Sequence, residues 1–564
     1  MTTAGELVDD PRLTAPSADG QVKIHPPPAE LVERLESRED PPWSNYDCQG
    51  RSLASLAAAA RSDLLAAAVA YTSSYLDVGD LSRIDSQQPI ILAGHQPSLF
   101  HPGVWAKNVF IGRLANRVGG TAVNLLIDSD LCRSATVRVP GGNPAQPVVQ
   151  HVPLDRYVPE RPFEQRAIVE GDIFEQFGQQ AGNTISRLVP DPLLDSFWPR
   201  VVERFRDLSR QAGGVSPRSR SRKTVANNVL PNLGACLAQA RHQLEHSWGL
   251  RTLELPQSQV CRLPVFFWFL AHTLAHLPRL SDIYNSAVHA YRRRHRIRNR
   301  AHPVPDLACD GSWLEAPYWI WSDQDPRRRR LFVRLQQGRI RLADGAGWEQ
   351  ELSLSPERDA ADAVDQLTAL AAGGLKIRTR ALMTTMFARL LLGDLFVHGI
   401  GGARYDRLTD SITQEFFGLR LPPFATISGT LRLPVDRPRV AADALRAARG
   451  QLRQLEYHPE RWISPAEDPR QRAAQQQWSA HKQEWVATVK SRANARRRHQ
   501  EIARSNAELQ KWLTDQQRQL RTRIEQLGEA LRRQAIIDWR EYAFCLYPDE
   551  KLRIFLLDTV QGRL

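Results

Sequence analysis

His95, Gln96 and His101 stand in one short loop, Gly94 to Pro102, and Asp128 and Asp130 follow a few elements later. Imidazole, amide and carboxylate groups at this spacing suit proton transfer, or the holding of an anion, an amine or a metal ion. A helix that opens behind a Gly/Pro loop offers free backbone N–H groups and the positive end of a dipole. A phosphate or carboxylate would sit there. His95 and His101 would donate to it and charge near neutral pH, and Lys107, a turn into the helix, would add a point charge. Asp128 and Asp130 would hold an amine or a metal. A plainer reading stands beside this one: His-Gln-Pro is a turn, the histidines cap or pack, and the aspartates open the next loop.

A second set of candidates lies at Gly399, Gly401, Gly402, Arg404 and Tyr405. An apolar strand ending at His398 runs into a glycine turn and then a helix over residues 408–417. The glycines would let a ligand approach the backbone, and Arg404 and Tyr405 would bind its anionic part. The pattern is neither GxGxxG nor GK[ST], so a P-loop is excluded.

These residues need a scaffold, and the flanking pattern supplies one. Pro89 to Ala93 is a short apolar run bounded by polar residues, as a buried parallel strand should be. Trp105 to Val118 carries apolar residues at helical spacing and stops at Gly119-Gly120. Ala122 to Ile127 is a second apolar run. Strand, helix, strand predicts an α/β sheet, and ligands bind outside the carboxyl ends of such strands. Residues 53–75 predict an Ala/Leu-rich helix, residues 280–298 a helix, and residues 315–343 a β-hairpin turning at Asp323 to Pro326. An Ala-rich helix is expected over residues 360–372.

The chain has 564 residues and a net charge of +13. It is too long for one simple core, and its charge favours an anionic partner. Basic runs at residues 291–300, 327–330 and 496–498 form no known nucleic-acid reading motif, so solvated faces are expected and nucleic acid is not. The tip at Asp325-Pro326-Arg327 reads as ordinary exposed charge. Six scattered cysteines contain no CxxC pair, which argues against a zinc ribbon. His272 and His276 lack the intervening glutamate of a zincin and read as packing residues. With no secretory h-region near the start and no membrane-length apolar run, a reducing, cytoplasmic setting is expected.

The last hundred residues change character. Residues 471–540 have almost no Pro or Gly, and Leu513, Leu520 and Leu527 recur every seven residues, with Ile524 and Leu531 on the matching seam. A long helix is expected there, either self-associating as a coiled coil or packing on its own chain. Residues 542–557 are apolar again and should return to a core.

Taken together, these pieces resemble the bacillithiol biosynthesis cysteine-adding enzyme family. That family has a Thr-Gly-Gln-Gln loop after a strand, continuing through Gly-Leu-Phe to Gly-Pro. Here stand Ala93-Gly94-His95-Gln96-Pro97-Ser98-Leu99-Phe100-His101-Pro102-Gly103. Its Asp-His-Asp-like motif is similar to Asp128-Ser129-Asp130, and its Gly-Pro-Gly-Glu element to Gly399-Ile400-Gly401-Gly402. Its coiled coil and returning segment are matched by residues 475–540 and by Asp549-Glu550-Lys551-Leu552. His95, Pro97, Ser129 and Gly402 depart from the family pattern, all at the presumed site. The His-Gln-Pro opening is also similar to a shorter α/β family tied to surface-polysaccharide assembly.

The resemblance implies an α/β fold with a Rossmann-like parallel-sheet core, helical insertions near residues 213–300 and a C-terminal coiled coil. The expected organisation is an N-terminal segment (1–85), the core (86–470) and a coiled-coil part (471–564) that makes a homodimer. The implied activity joins a cysteine-like amino acid to the amine of a small aminosugar conjugate, with ATP activating the carboxyl group. His95, Asp128 and Asp130 would be catalytic. Gly94, Gln96, His101, Lys107 and the 399–405 set would bind substrate or nucleotide. The alternatives are a non-catalytic coiled-coil scaffold or nucleic-acid-binding protein, and a transferase in polysaccharide assembly.

Overall fold

The computed structural model describes residues 14–37, 45–211, 230–436, 439–560 and 562. The basic break expected at 213–224 lies outside them. The chain forms two compact units: Met1–Val139 with Gln150–Leu433 and Arg540–Leu564, and Pro140–Val149 with Pro434–Trp539.

The first unit holds two large sheets. Their strands, in chain order, are β1 (Gln21–His25), β2 (Ile90–His95), β3 (Thr121–Leu126), β4 (Leu253–Pro256), β5 (Trp313–Ser322), β6 (Arg329–Gln336), β7 (Arg339–Ala343), β8 (Glu349–Leu352), β9 (Leu375–Thr379), β10 (Leu395–His398) and β11 (Phe424–Thr430). The first sheet has the order β1-β11-β10-β2-β3-β4. β1 is antiparallel to β11 and the other neighbours are parallel, so the sheet is mixed. The second sheet is antiparallel, in the order β8-β7-β6-β5-β9. The expected hairpin is thus three strands of a larger meander.

The helices used below are α1 (Leu53–Ser73), α2 (Pro102–Arg117), α3 (Leu233–Ser247), α4 (Pro264–Ala275), α5 (Leu277–Arg294), α6 (Ala361–Ala372), α7 (Ile400–Phe417), α8 (Ala442–Tyr457), α9 (Pro469–Ala487), α10 (Ala495–Gln510) and α11 (Thr514–Ile537). Crossovers β2–α2–β3 and β10–α7–β11 run outward from the middle of the sheet in opposite directions. The strand order therefore reverses between β2 and β10, the place where open α/β sheets leave a crevice at the carboxyl edge.

The two faces of this sheet differ. Ile90, Leu92, Val123, Leu125, Leu253 and Leu255 share one apolar core with Leu53, Leu56, Ala60 and Leu64 of α1 and Phe266 and Phe269 of α4. Each such side chain stabilises the fold by about 1.5–3 kcal/mol on burial. α1 is long and apolar enough to cross a membrane, yet this stripe is spent on the core. The opposite face carries His95, Asn124 and Glu254, all buried. Strand alternation puts them together.

Two expectations are corrected. The helix expected at 408–417 begins at Ile400, because Gly399 caps it in an extended conformation and the glycines enter the first turn. A Cβ at Gly402 would lie 2.6 Å from His398 Nδ1, so glycine is required there within the helix. The long helix expected over 471–540 is three helices, α9, α10 and α11. Ser491 and Asn494 break it by capping one another: Asn494 Oδ1 accepts from Ser491 N at 2.8 Å and Ser491 Oγ from Asn494 N at 3.3 Å. Such side chains compete with helical bonds as a proline would. α9 packs on α10, and α11 packs on α8 of the same chain.

Most arginines of the basic runs are exposed, among them Arg293, Arg294, Arg296, Arg298, Arg327, Arg330, Arg496 and Arg497, as solvated faces would be. Arg292 is buried and donates to the His302 and Val304 carbonyls and to Asp306.

Candidate active site

The carboxyl ends of β2 and β3 carry the sequence candidates, and each has a distinct fate. His95 is buried. Its Nε2 lies 3.1 Å from Asn108 Oδ1, and Asn108 donates its amide hydrogens to Glu245 Oε1 at 2.8 Å. The carboxylate fixes the amide so that its oxygen faces His95 Nε2, while Nδ1 lies 3.1 Å from the Gln96 carbonyl oxygen. Glu245 also accepts from Trp105 Nε1 (2.5 Å) and Arg241 Nη1 (2.7 Å), and Arg241 reaches Glu254 Oε1 at 2.5 Å. This cluster is sealed beneath the edge.

The histidines do not supply positive charge. Burial, then Arg241 and Lys107, push His95 well below the usual histidine range. Burial, then Arg540 and Lys107, bring His101 down to about 4. Both are neutral at pH 7, against the expectation that they charge there. His101 caps α2, its Nδ1 accepting from Gly103 N at 3.1 Å. A Cβ at Gly103 would lie 2.2 Å from the Gly429 carbonyl oxygen, so β11 backbone closes the start of α2. No anion fits at that helix start. Lys107 is buried too, and donates to the Gly94 carbonyl at 2.7 Å. Burial lowers it to about 8, and it ties α2 to the end of β2 instead of reaching into the loop. His101 thus caps a helix, and Lys107 packs against the end of the strand.

Asp128 and Asp130 do not converge on one group. Asp128 is buried, and accepts from Ser258 N at 2.8 Å and from Ser258 Oγ. Glu164 stands beside it, held by Arg378 through two bonds of 3.1 and 2.9 Å. Burial first, then the Glu164 charge, raise the Asp128 carboxyl to about 7. Asp130 lies at the rim. Gln96, exposed in the β2 loop, donates to its Oδ2 at 2.5 Å, and Arg328 donates to its Oδ1 at 3.1 Å. Gln96 and Asp130 are thus brought together, and His95 remains behind them.

The glycine segment lies at the end of β10. Val397 pairs with Ala93, so the residues following each strand leave the sheet side by side. Gly399 and Gly401 open onto space, and no side chain caps the first turn of α7. Its N–H groups are the better place for an anion than the start of α2. Arg404 is exposed. Tyr405 turns elsewhere, its ring meeting His302 at 5.9 Å. His398, behind Gly402, donates from Nε2 to Asp406 Oδ2 at 2.9 Å, and Arg389 donates to the same oxygen at 2.7 Å.

Sequence reasoning missed Glu164, Ser258, Arg328 and Arg378. Nothing local marks them: Asp128 meets Ser258 across 130 residues. Arg328 did carry a signal. It is one of four consecutive arginines, and it alternates with the exposed Arg327 on a strand-like tip, its side chain only 11% exposed.

A cleft of about 740 Å³ opens elsewhere, lined by Trp321, Asp325, Arg329, Asp344 and Trp348 among others. Its charges are already matched, since Arg329 binds both Asp325 and Asp344. Among the described residues no group of three His, Cys, Asp or Glu side chains is placed to hold a metal ion. No family model matches the chain, and no curated protein matches it.

Proposed function

We propose that the chain is a C–N bond-forming enzyme on a Rossmann-like core, a divergent relative of the cysteine-adding ligases, joining a cysteine-like amino acid to the amine of a small aminosugar conjugate. The observation that carries this reading is Asp128: a buried carboxyl at the end of β3, raised to about 7 beside Glu164. An amine nucleophile is protonated at neutral pH and must lose a proton to react. A base is most effective when its pKa lies near the working pH.

In this reading the amino acid's carboxylate oxygen would attack a phosphorus of ATP, displacing ADP or pyrophosphate and leaving an acyl phosphate or acyl adenylate. The open first turn of α7, with Gly399 and Gly401, suits the ATP phosphates. The amine attacks the activated carbonyl carbon, the C–O bond to phosphate breaks, and Asp128 takes the proton from nitrogen. Ser258 and the Arg378–Glu164 pair orient and tune that carboxylate. Gln96 and Asp130 line the approach.

The test is nucleotide-dependent amide formation from cysteine and an aminosugar–malate conjugate. Wild-type kcat/KM should rise with pH through about 7 as Asp128 loses its proton. Asp128→Asn should lower the rate by about 10²–10⁴-fold. Stability gives a second reading. A carboxyl raised above its unfolded value stabilises the fold while protonated, and that contribution fades as pH rises from about 4 towards 7. The Asn variant should therefore show a flatter dependence of Tm on pH across this window. Undiminished turnover in Asp128→Asn would sink the assignment.

The proposal includes a homodimer through the helical unit. Tyr457, Trp462, Val486 and Val489 are exposed on it, which supports an apolar contact between copies. Sedimentation at micromolar concentration should give twice the chain mass, and a monomer would refute it.

A further inference from the structure

We infer that Arg380, Arg328 and Trp319 form a binding site for an oxyanion, the carboxylate or phosphate group of a small molecule, beside the Asp130 rim. The site begins with a bulge in β5. Ala316 pairs with Leu331 and Trp319 with the adjacent Arg330, so Pro317 and Tyr318 are extra residues on one strand. Bulges re-aim side chains, often next to active sites. This one sets the half-buried Trp319 ring against two guanidinium groups, Arg380 at 4.2 Å and Arg328 at 4.4 Å.

Arg380 follows β9 directly, and its side chain is 90% buried. Nη1 binds Glu315 Oε1 at 2.7 Å. Nε and Nη2 are buried and have no partner. Those two N–H groups share one edge of the guanidinium, the edge that takes two oxygens of a carboxylate or phosphate side-on. Glu315 pairs with Nη1 instead, and its Oε2 is held by Arg330 at 3.2 Å.

The charge count agrees. Arg328, Arg330 and Arg380 face Glu315 and Asp130, one positive charge in excess, and Arg133 acts on Arg328 from nearby. Burial works against the charge of both Arg380 and Arg328. A buried guanidinium with unmatched donors is costly, and an arriving anion removes that cost. The site is reachable through groups that stay in water: Arg330 and Asp130 are exposed at its rim, at 54% and 41% of their side chains.

This inference depends on the site lying at this edge but not on ligation being the reaction. Inorganic phosphate and succinate would each be titrated into the full chain by calorimetry at fixed ionic strength. Wild type, Arg380→Gln, Arg328→Gln and Asp128→Asn would be compared, with Tm measured in parallel. Wild type should bind one of the two anions saturably and gain Tm with it. Phosphate alone would identify a phosphate ester as the natural group, and succinate alone a carboxylate.

Each arginine variant should bind about ten- to hundredfold more weakly, the worth of a charge-assisted hydrogen bond. Asp128→Asn should bind as wild type does, so a failed ligase assay and a failed anion site remain distinguishable. Arg328→Gln keeps the inference falsifiable if Arg380→Gln fails to fold, since Asp130 retains Gln96 and the Leu131 N–H. Absence of saturable binding by either anion, or unchanged affinity in Arg328→Gln, would overturn it.

Discussion

Two polar clusters meet at the end of β2, where His95 and Gln96 are neighbours, and they are built on opposite terms. Beneath the edge, His95, Asn108, Glu245, Arg241 and Glu254 form a sealed chain in which Arg241 stands between two carboxylates and Glu245 Oε1 takes three donors, leaving only its Oε2 without one. At the rim, Gln96 and Asp130 reach water, Arg328 and Arg380 lie largely buried against the Trp319 ring, and two Arg380 nitrogens go unmatched. Charge tied up in hydrogen bonds inside a fold holds geometry. Unmatched charge at an edge costs stability until something arrives to meet it. The first cluster positions His95 and the β2 loop, and the second is free to recognise a ligand.

The contrast can be broken from either side. Glu245→Ala should have the largest effect, because it strands the Trp105, Asn108 and Arg241 donors in the interior. A loss of about 3–5 kcal/mol is expected in urea unfolding, and a loss under about 1 kcal/mol would mean the sealed cluster is not the scaffold argued here. His101→Ala removes a helix cap at the boundary between the clusters. It should cost about 1 kcal/mol, with the shape of any pH–rate profile unchanged, since His101 is neutral across that range. A lost pH limb would return His101 to the chemistry. Arg327→Ala lies just outside the rim cluster, on an exposed side chain. It should leave both the urea midpoint and anion affinity unchanged, and a change in either would extend the site beyond Arg328.

Much of the scaffold was legible. The apolar runs at 89–93 and 122–127 are β2 and β3, and the helical spacing after Trp105 is α2. The site was legible in part. Gln96 and Asp130 do meet, at the strand ends where they were sought. His95, His101 and Lys107 were chosen for charge, and burial removes or redirects it. Residue type sets an ordinary pKa, but the environment decides the protonation state. The C-terminal helix misled for a related reason: Ser491 and Asn494 stop it with a pair of reciprocal hydrogen bonds, and two polar residues three apart do not announce that choice.

Local pattern marks most of the segments that become strands and helices, and which ends carry ionisable groups, because periodicity and turn chemistry act over a few residues. Tertiary structure decided which of those groups have partners. Asp130 and Arg328 are 198 residues apart and Arg378 and Glu164 are 214 apart. Their meeting depends on one sheet being packed against the end of another. Such contacts follow from the burial of apolar faces far from the site, and no local pattern records them.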